Sequence, residues 1–208
     1  MPPDKERAKR IILEILRHAG ELGKTKLFKA FWLSHLYYCK AANGYLSDWP
    51  IVRMPNGPGI DRAEMLLSEM VRGEFLSLTH LPKGPFTEIN CRLSGKPIEG
   101  DLGPSAAEAI RKAVADVKTC TAEEISELSH ELSRSWKNTP NGSELDIYSD
   151  LIPDDVYDER RQELMVMKKT YESLFERYLS EPLPRSWSQG APTTGSSRSC
   201  FHSDQKCR

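Results

Sequence analysis

Between Lys26 and Gly73 the chain cannot fold as one regular element. It reads KLFKAFWLSHLYYCKAANGYLSDWPIVRMPNGPGIDRAEMLLSEMVRG. A helix-period apolar run gives way to Gly44, then to a turn over 48–51, then to the knot Met54-Pro55-Asn56-Gly57-Pro58-Gly59, then to a second amphipathic run. Pro50, Pro55 and Pro58 exclude a helix across the middle. Each also pushes the residue before it toward an extended conformation. Ile51-Val52-Arg53-Met54 is the predicted strand, and Asn56-Gly57 supplies a turn. The spacing therefore predicts helix, short strand, rigid turn and helix within a single compact unit.

The flanking segments extend the pattern. Helices are predicted over 5–20, 25–41 and 61–73 from apolar residues at 3–4 spacing, with Gly20, Asn43-Gly44 and Gly73 as stops. Leu27, Phe28, Phe31, Trp32, His35 and Leu36 form one face of the second helix. Phe75-Leu76-Ser77-Leu78-Thr79 and Phe86-Thr87-Glu88-Ile89-Asn90-Cys91 alternate as two strands of a hairpin tipped by Pro82-Lys83-Gly84-Pro85. Helices follow over 105–118 and 121–131, the second opened by the capping-box spacing Thr121-Ala122-Glu123-Glu124. Residues 136–153 read as irregular. A last helix over 154–179 carries Tyr157, Leu164, Met167, Tyr171, Leu174 and Tyr178 on one seam, which either meets a partner or covers the domain's own core.

This order predicts an α+β, mainly α-helical fold with a small antiparallel hairpin, winged-helix-like in order. One domain is expected over 1–180. Residues 181–208 are rich in Pro, Ser, Gly and Thr and are expected to be a disordered tail. If the shape is a winged helix, 61–73 is its third helix and 75–92 its wing. That helix offers Arg62, Glu64, Ser68, Glu69 and Arg72, and its two carboxylates repel phosphate. Reading DNA is thus the alternative rather than the expectation.

Charge and cysteine usage narrow the classes further. The net charge is −1, so no global field draws the chain to nucleic acid or an acidic membrane. No apolar run approaches the length that spans a bilayer, and no apolar stretch behind the basic start reads as a secretory signal. Cys39, Cys91, Cys120, Cys200 and Cys207 are scattered and odd in number, which predicts reduced thiols in a cytoplasmic protein. Cys200, His202 and Cys207 are three zinc-ligand types without a fourth, so no metal site is expected. The knot lacks the following Lys-Ser/Thr or the GxGxxG spacing of a phosphate loop, so no cofactor is expected either.

Several motifs in order resemble the Panacea, or SocA-like, domain of antitoxins in bacterial and phage toxin–antitoxin systems. They are Lys26-Leu27-Phe28-Lys29, Trp32, Gly44-Tyr45-Leu46-Ser47-Asp48, Met54-Pro55-Asn56-Gly57-Pro58 and Arg72-Gly73-Glu74-Phe75. Later, Ser126-Glu127-Leu128-Ser129-His130 and Ser135-Trp136-Lys137 resemble its L-S-H…W pattern. The likeness covers roughly residues 8–150. The bulky Trp49-Pro50 and the tail depart from it. The resemblance implies a module that neutralises a cognate toxin by direct binding, in some relatives by delivering it to an ATP-dependent protease.

Individual residues fit a binding module better than an enzyme. Trp32 and His35 are expected in the core. His130 has no nucleophile or metal arranged with it in sequence and is expected to interact with the end of its helix. Asp154, Asp155, Asp158 and Glu159 suit the positive end of a helix dipole. Trp49 and Arg53, expected to be exposed, are the candidate partner contacts, because aromatic residues and Arg dominate interface hot spots.

Overall fold

The computed structural model describes residues 2–42, 44–96 and 100–180. The chain runs α1 (Lys5–Ala19), β1 (Glu21–Gly23), α2 (Lys24–Ala42), β2 (Ile51–Met54), β3 (Gly57–Ile60), α3 (Ala63–Arg72), β4 (Leu76–Lys83) and β5 (Phe86–Leu93). It continues through α4 (Pro104–Thr119), α5 (Ala122–Leu132), α6 (Arg134–Asn138), a 3₁₀ turn (Ile147–Leu151) and α7 (Asp154–Ser180). It divides into two compact units, Met1–Tyr157 and Asp158–Arg208. The expected tail over 181–208 lies outside the described residues, as do Cys200, His202 and Cys207. No helix of the described residues is long and apolar enough to cross a membrane.

Helix α2 forms the axis of the first unit. Every residue from Leu27 to Leu36 is buried, so this helix has no solvent face over its middle. Its most extensive neighbour is α4. The buried side of α4 is built from Ala106, Ala109, Ile110, Ala113, Val114 and Val117. Ile11, Ile12, Ile15 and Leu16 of α1 join the same core. Full burial of each such Leu or Ile contributes about 1.5–3 kcal/mol.

Two antiparallel sheets flank this core, of order β1-β5-β4 and β2-β3. In the three-stranded sheet the β4–β5 hairpin is the one expected over 75–92, and β1 adds to its β5 side. Its first strand, only Glu-Leu-Gly, carries too little pattern to be read from sequence. The 136–153 segment is less irregular than expected. Ser133, Ser135 and Asp150 tie α6 to the 3₁₀ turn: Asp150 accepts from the Ser133 and Ser135 hydroxyls at 2.8 and 2.9 Å and from the Ser135 amide at 2.7 Å.

The end of α3 differs from expectation by one residue. Gly73 closes the helix with an ordinary φ of −78°, and Glu74 takes the left-handed conformation at φ 62°. The Phe75 amide donates to Met70 O and the Glu74 amide to Val71 O, both at 2.9 Å. This is the Schellman pattern, in which glycine normally occupies the left-handed position. Gly73 is required for another reason: a Cβ there would press on the Phe75 ring at 3.0 Å. Glu74→Gly relieves the left-handed penalty and is expected to raise the unfolding free energy by about 1 kcal/mol. Urea denaturation checks this, and an unchanged or lower midpoint would contradict it.

Candidate functional site

The proline-rich knot is a tight hairpin. β2 and β3 pair Ile51 with Ile60, Val52 with Gly59, Arg53 with Pro58 and Met54 with Gly57. Pro58 is accommodated because β3 is short and its register partner needs no amide from it. Gly57 is at φ 96°, open to glycine alone at low cost. A Cβ at this position would also collide with the Ser129 hydroxyl and the Lys29 amine.

Lys29 explains the close fit. It enters from the first turns of α2, is 2 % exposed, and donates its amine to Pro58 O at 3.0 Å and to Asn56 O. No carboxylate pairs with it among the described residues. Burial therefore pushes its pKa down to about 7. In the neutral form the amine has two N–H donors, matching the two hairpin carbonyls.

A second layer closes the hairpin from outside. The Trp136 indole donates to Met54 O at 2.9 Å and stacks on the His130 ring, centroids 4.0 Å apart and 12° from parallel. The Arg53 guanidinium lies over the same indole at 4.6 Å. Arg53 is thus half-buried against Trp136, and its Nε has no hydrogen-bond partner among the described residues. His130 acts by stacking rather than through the last carbonyls of α5, where it was expected. Its pKa is lowered by burial and then by the neighbouring Lys29 and Arg53 charges.

Trp49 is not exposed. It is 4 % accessible, and its indole donates to Asp61 O at 2.9 Å beneath the Arg62 guanidinium. The indole packs into the hydrophobic core, where Asp61 O supplies the partner that its buried N–H needs. The exposure expected of Trp49 is thus not found, and Arg53 is half-buried. Leu27 and Trp32 are core residues, as expected. Asp48 accepts from the Asp4 amide at 2.8 Å and fastens the start of α1.

His35 has a partner that sequence reasoning missed. Its Nδ1 donates to Phe31 O, and its Nε2 accepts from the Ser47 hydroxyl, both at 2.8 Å. The pair borders a cavity of about 530 Å³ that Asp48 and Tyr148 also line. The geometry resembles a serine–histidine dyad, but the electrostatics oppose that chemistry. Burial holds His35 down to about 4, too weak a base to draw a proton from serine near neutrality. Ser47 also accepts from the Trp49 amide at 3.4 Å, as a turn-forming serine does.

A larger cavity, about 780 Å³, opens between the start of α2, the hairpin tip and β5. Lys24, Lys26, Lys29 and Lys83 line it, with Glu88 the lone acid among the lining residues. Lys83 pairs with Glu88 at 2.6 Å, and Lys24 with Glu64 on α3. On the far side of α3, Glu69 accepts from Lys5 and Lys9 at 3.0 and 2.7 Å, which holds its carboxyl near 2. Both carboxylates of α3 are thus engaged with lysines of α1 and the start of α2. No group of His, Cys, Asp and Glu suited to a metal occurs among the described residues.

Comparison with protein-family models, with curated proteins and with solved structures finds no match.

The buried amine carries a pH signature. Its folded pKa lies below that of an unfolded lysine, so between about 7 and about 10.4 the unfolded chain binds more protons. Stability attributable to Lys29 therefore rises with pH across this window and falls as pH drops through 7. Lys29→Met is expected to abolish that rise. Above the window it is expected to be less stable by about 1–3 kcal/mol, because the hairpin carbonyls lose their donor. Urea unfolding of both proteins at neutral and alkaline pH checks this, and parallel pH profiles would contradict it.

Proposed function

We propose that this protein is a binding module of the antitoxin type, which neutralises a cognate toxin by direct contact, with delivery to an ATP-dependent protease as one route by which it could do so. The resemblance to Panacea, or SocA-like, domains supports this reading through its ordered motifs. Three of those motifs come together at one hairpin: Lys29 bonds its Asn56 and Pro58 carbonyls, Ser129 lies against Gly57, and Trp136, stacked on His130, bonds Met54 O. Their role is to build the scaffold rather than to touch the partner.

The observation that carries the binding reading is the surface of α7. Leu164, Met167, Tyr171 and Leu174 follow 3–4 spacing and are all exposed, 64, 53, 68 and 49 %. Met165, Val166 and Phe175 beside them are exposed as well. A helix with such a seam normally buries it, in its own core or against a partner helix or groove. Methionine and aromatic side chains suit a surface that adapts to a partner. The winged-helix order of the first unit supports the alternative of DNA binding, but the α3 face opposes it through Glu64 and Glu69.

The reading is tested by growth rescue. The full chain is co-expressed with the toxin encoded beside it, which alone arrests growth. The wild-type chain is expected to restore growth and to co-purify with the toxin after nuclease treatment. Leu164→Asp with Leu174→Asp is expected to lose rescue and to weaken the complex by at least about tenfold. Rescue that survives the double substitution would remove α7 as the contact. A chain that captures only nuclease-sensitive DNA would overturn the antitoxin reading.

A further inference from the structure

The large cavity of the first unit has a feature that its scaffold does not need. β1 pairs with β5 only from Glu21 opposite Arg92 to Gly23 opposite Asn90, where the chain turns into α2. β5 continues to Phe86, paired on its other side with β4 throughout. Residues 86–89 of β5 therefore have no strand beside them on the β1 side among the described residues, and these residues line the cavity. Gly84 and Pro85 form a two-residue hairpin loop, so its closing pair, Lys83 and Phe86, exchanges both ladder bonds. Alternation then turns the backbone groups of Thr87 and Ile89 toward the open side. Pro82, opposite Thr87, fits this phase because it has no amide to donate.

Lysines outnumber acids around this open edge, where Lys83 pairs with Glu88 and Lys24 with Glu64. Lys24 and Lys26 sit in the first turn of α2, which holds no acidic residue. Cations there oppose the helix dipole instead of complementing it. Lys29, one turn further, is buried without a counter-ion. Lys83 stands at the hairpin tip on the same cavity. Lys29 is close to neutral there, so Lys24, Lys26 and Lys83 are the charges that an arriving anion meets.

We propose that an extended acidic segment of a protein partner adds to the open edge of β5 at Thr87 and Ile89, continuing the line of β1, with its carboxylates over Lys24 and Lys26. Main-chain bonds to Thr87 and Ile89 give this contact its affinity, and the lysines select the charge. The chain's own residues 181–208 are a poor occupant, because they carry Arg185, Arg198, Lys206 and Arg208 against Glu181 and Asp204. The inference rests on the protein-binding reading but fails separately from it, since its test needs no toxin and leaves α7 unchanged.

The test is a titration of the full chain with fluorescent peptides of alternating Glu and Val, and of alternating Lys and Val. The Glu/Val peptide is expected to bind and the Lys/Val peptide not to bind, with affinity falling as salt rises. Hydrogen exchange is expected to slow at the Thr87 and Ile89 amides when the Glu/Val peptide is added. Thr87→Pro removes an outward amide without touching the β4 ladder, and Lys26→Glu reverses a charge at the solvent boundary. Each is expected to weaken binding by at least about tenfold while the far-UV spectrum stays that of the wild type. Equal binding of both peptides, binding of neither, or wild-type affinity in both variants would overturn the proposal. So would protection of the Thr87 and Ile89 amides without peptide that grows with protein concentration, which would assign the edge to a second copy of the chain.

Discussion

A buried lysine amine bonded to two carbonyls of a proline-rich hairpin holds the first unit together. Lys29 leaves α2, the most buried helix, and ends beneath β2 and β3. Because its two acceptors are main-chain oxygens, the bond fixes the hairpin backbone and not merely a side chain. Asn56 O and Pro58 O flank Gly57, whose lack of a Cβ leaves room for the amine and for Ser129 of α5. Trp136 then bonds Met54 O, so α6 and α5 are referenced to the same turn. One interaction thus connects the central helix, the small sheet and the late helices.

The same interaction accounts for the electrostatic character of the site. A lysine with a carboxylate partner would stay charged at neutral pH. Lys29 has none, and desolvation brings it close to neutrality. His130, which faces the same hairpin, is lowered by burial and by the positive charges of Lys29 and Arg53. Nearby, Glu88 pairs with Lys83, Glu64 with Lys24, and Glu69 with Lys5 and Lys9.

Much of the fold was legible because long periodic runs specify helices strongly. α1, α2, α4, α5 and α7 lie within one or two residues of expectation. What escaped was short or depended on tertiary partners. β1 has three residues, and β3 is Gly-Pro-Gly-Ile, whose composition argues against a strand until β2 supplies one. Glu74 takes the left-handed position beside a glycine that looked the natural occupant. Trp49 looked like an exposed hot spot because aromatic residues dominate interfaces, yet its indole is buried in the core. Lys29 stood in plain sight in the Lys-Leu-Phe-Lys motif, but a lysine carries no sequence signal of burial. Ser47 likewise could be paired with His35 only in space, since Phe31 O sets the tautomer that makes it the donor.

The most direct measurement is the titration of Lys29 itself, followed through its side-chain carbon and nitrogen resonances in the full chain with selective lysine labelling. A midpoint near 7 is the expected result, well separated from the surface lysines near about 10.4. A Lys29 resonance that titrates with the surface lysines would mean that the amine is solvated and charged, and that the hairpin is held in some other way.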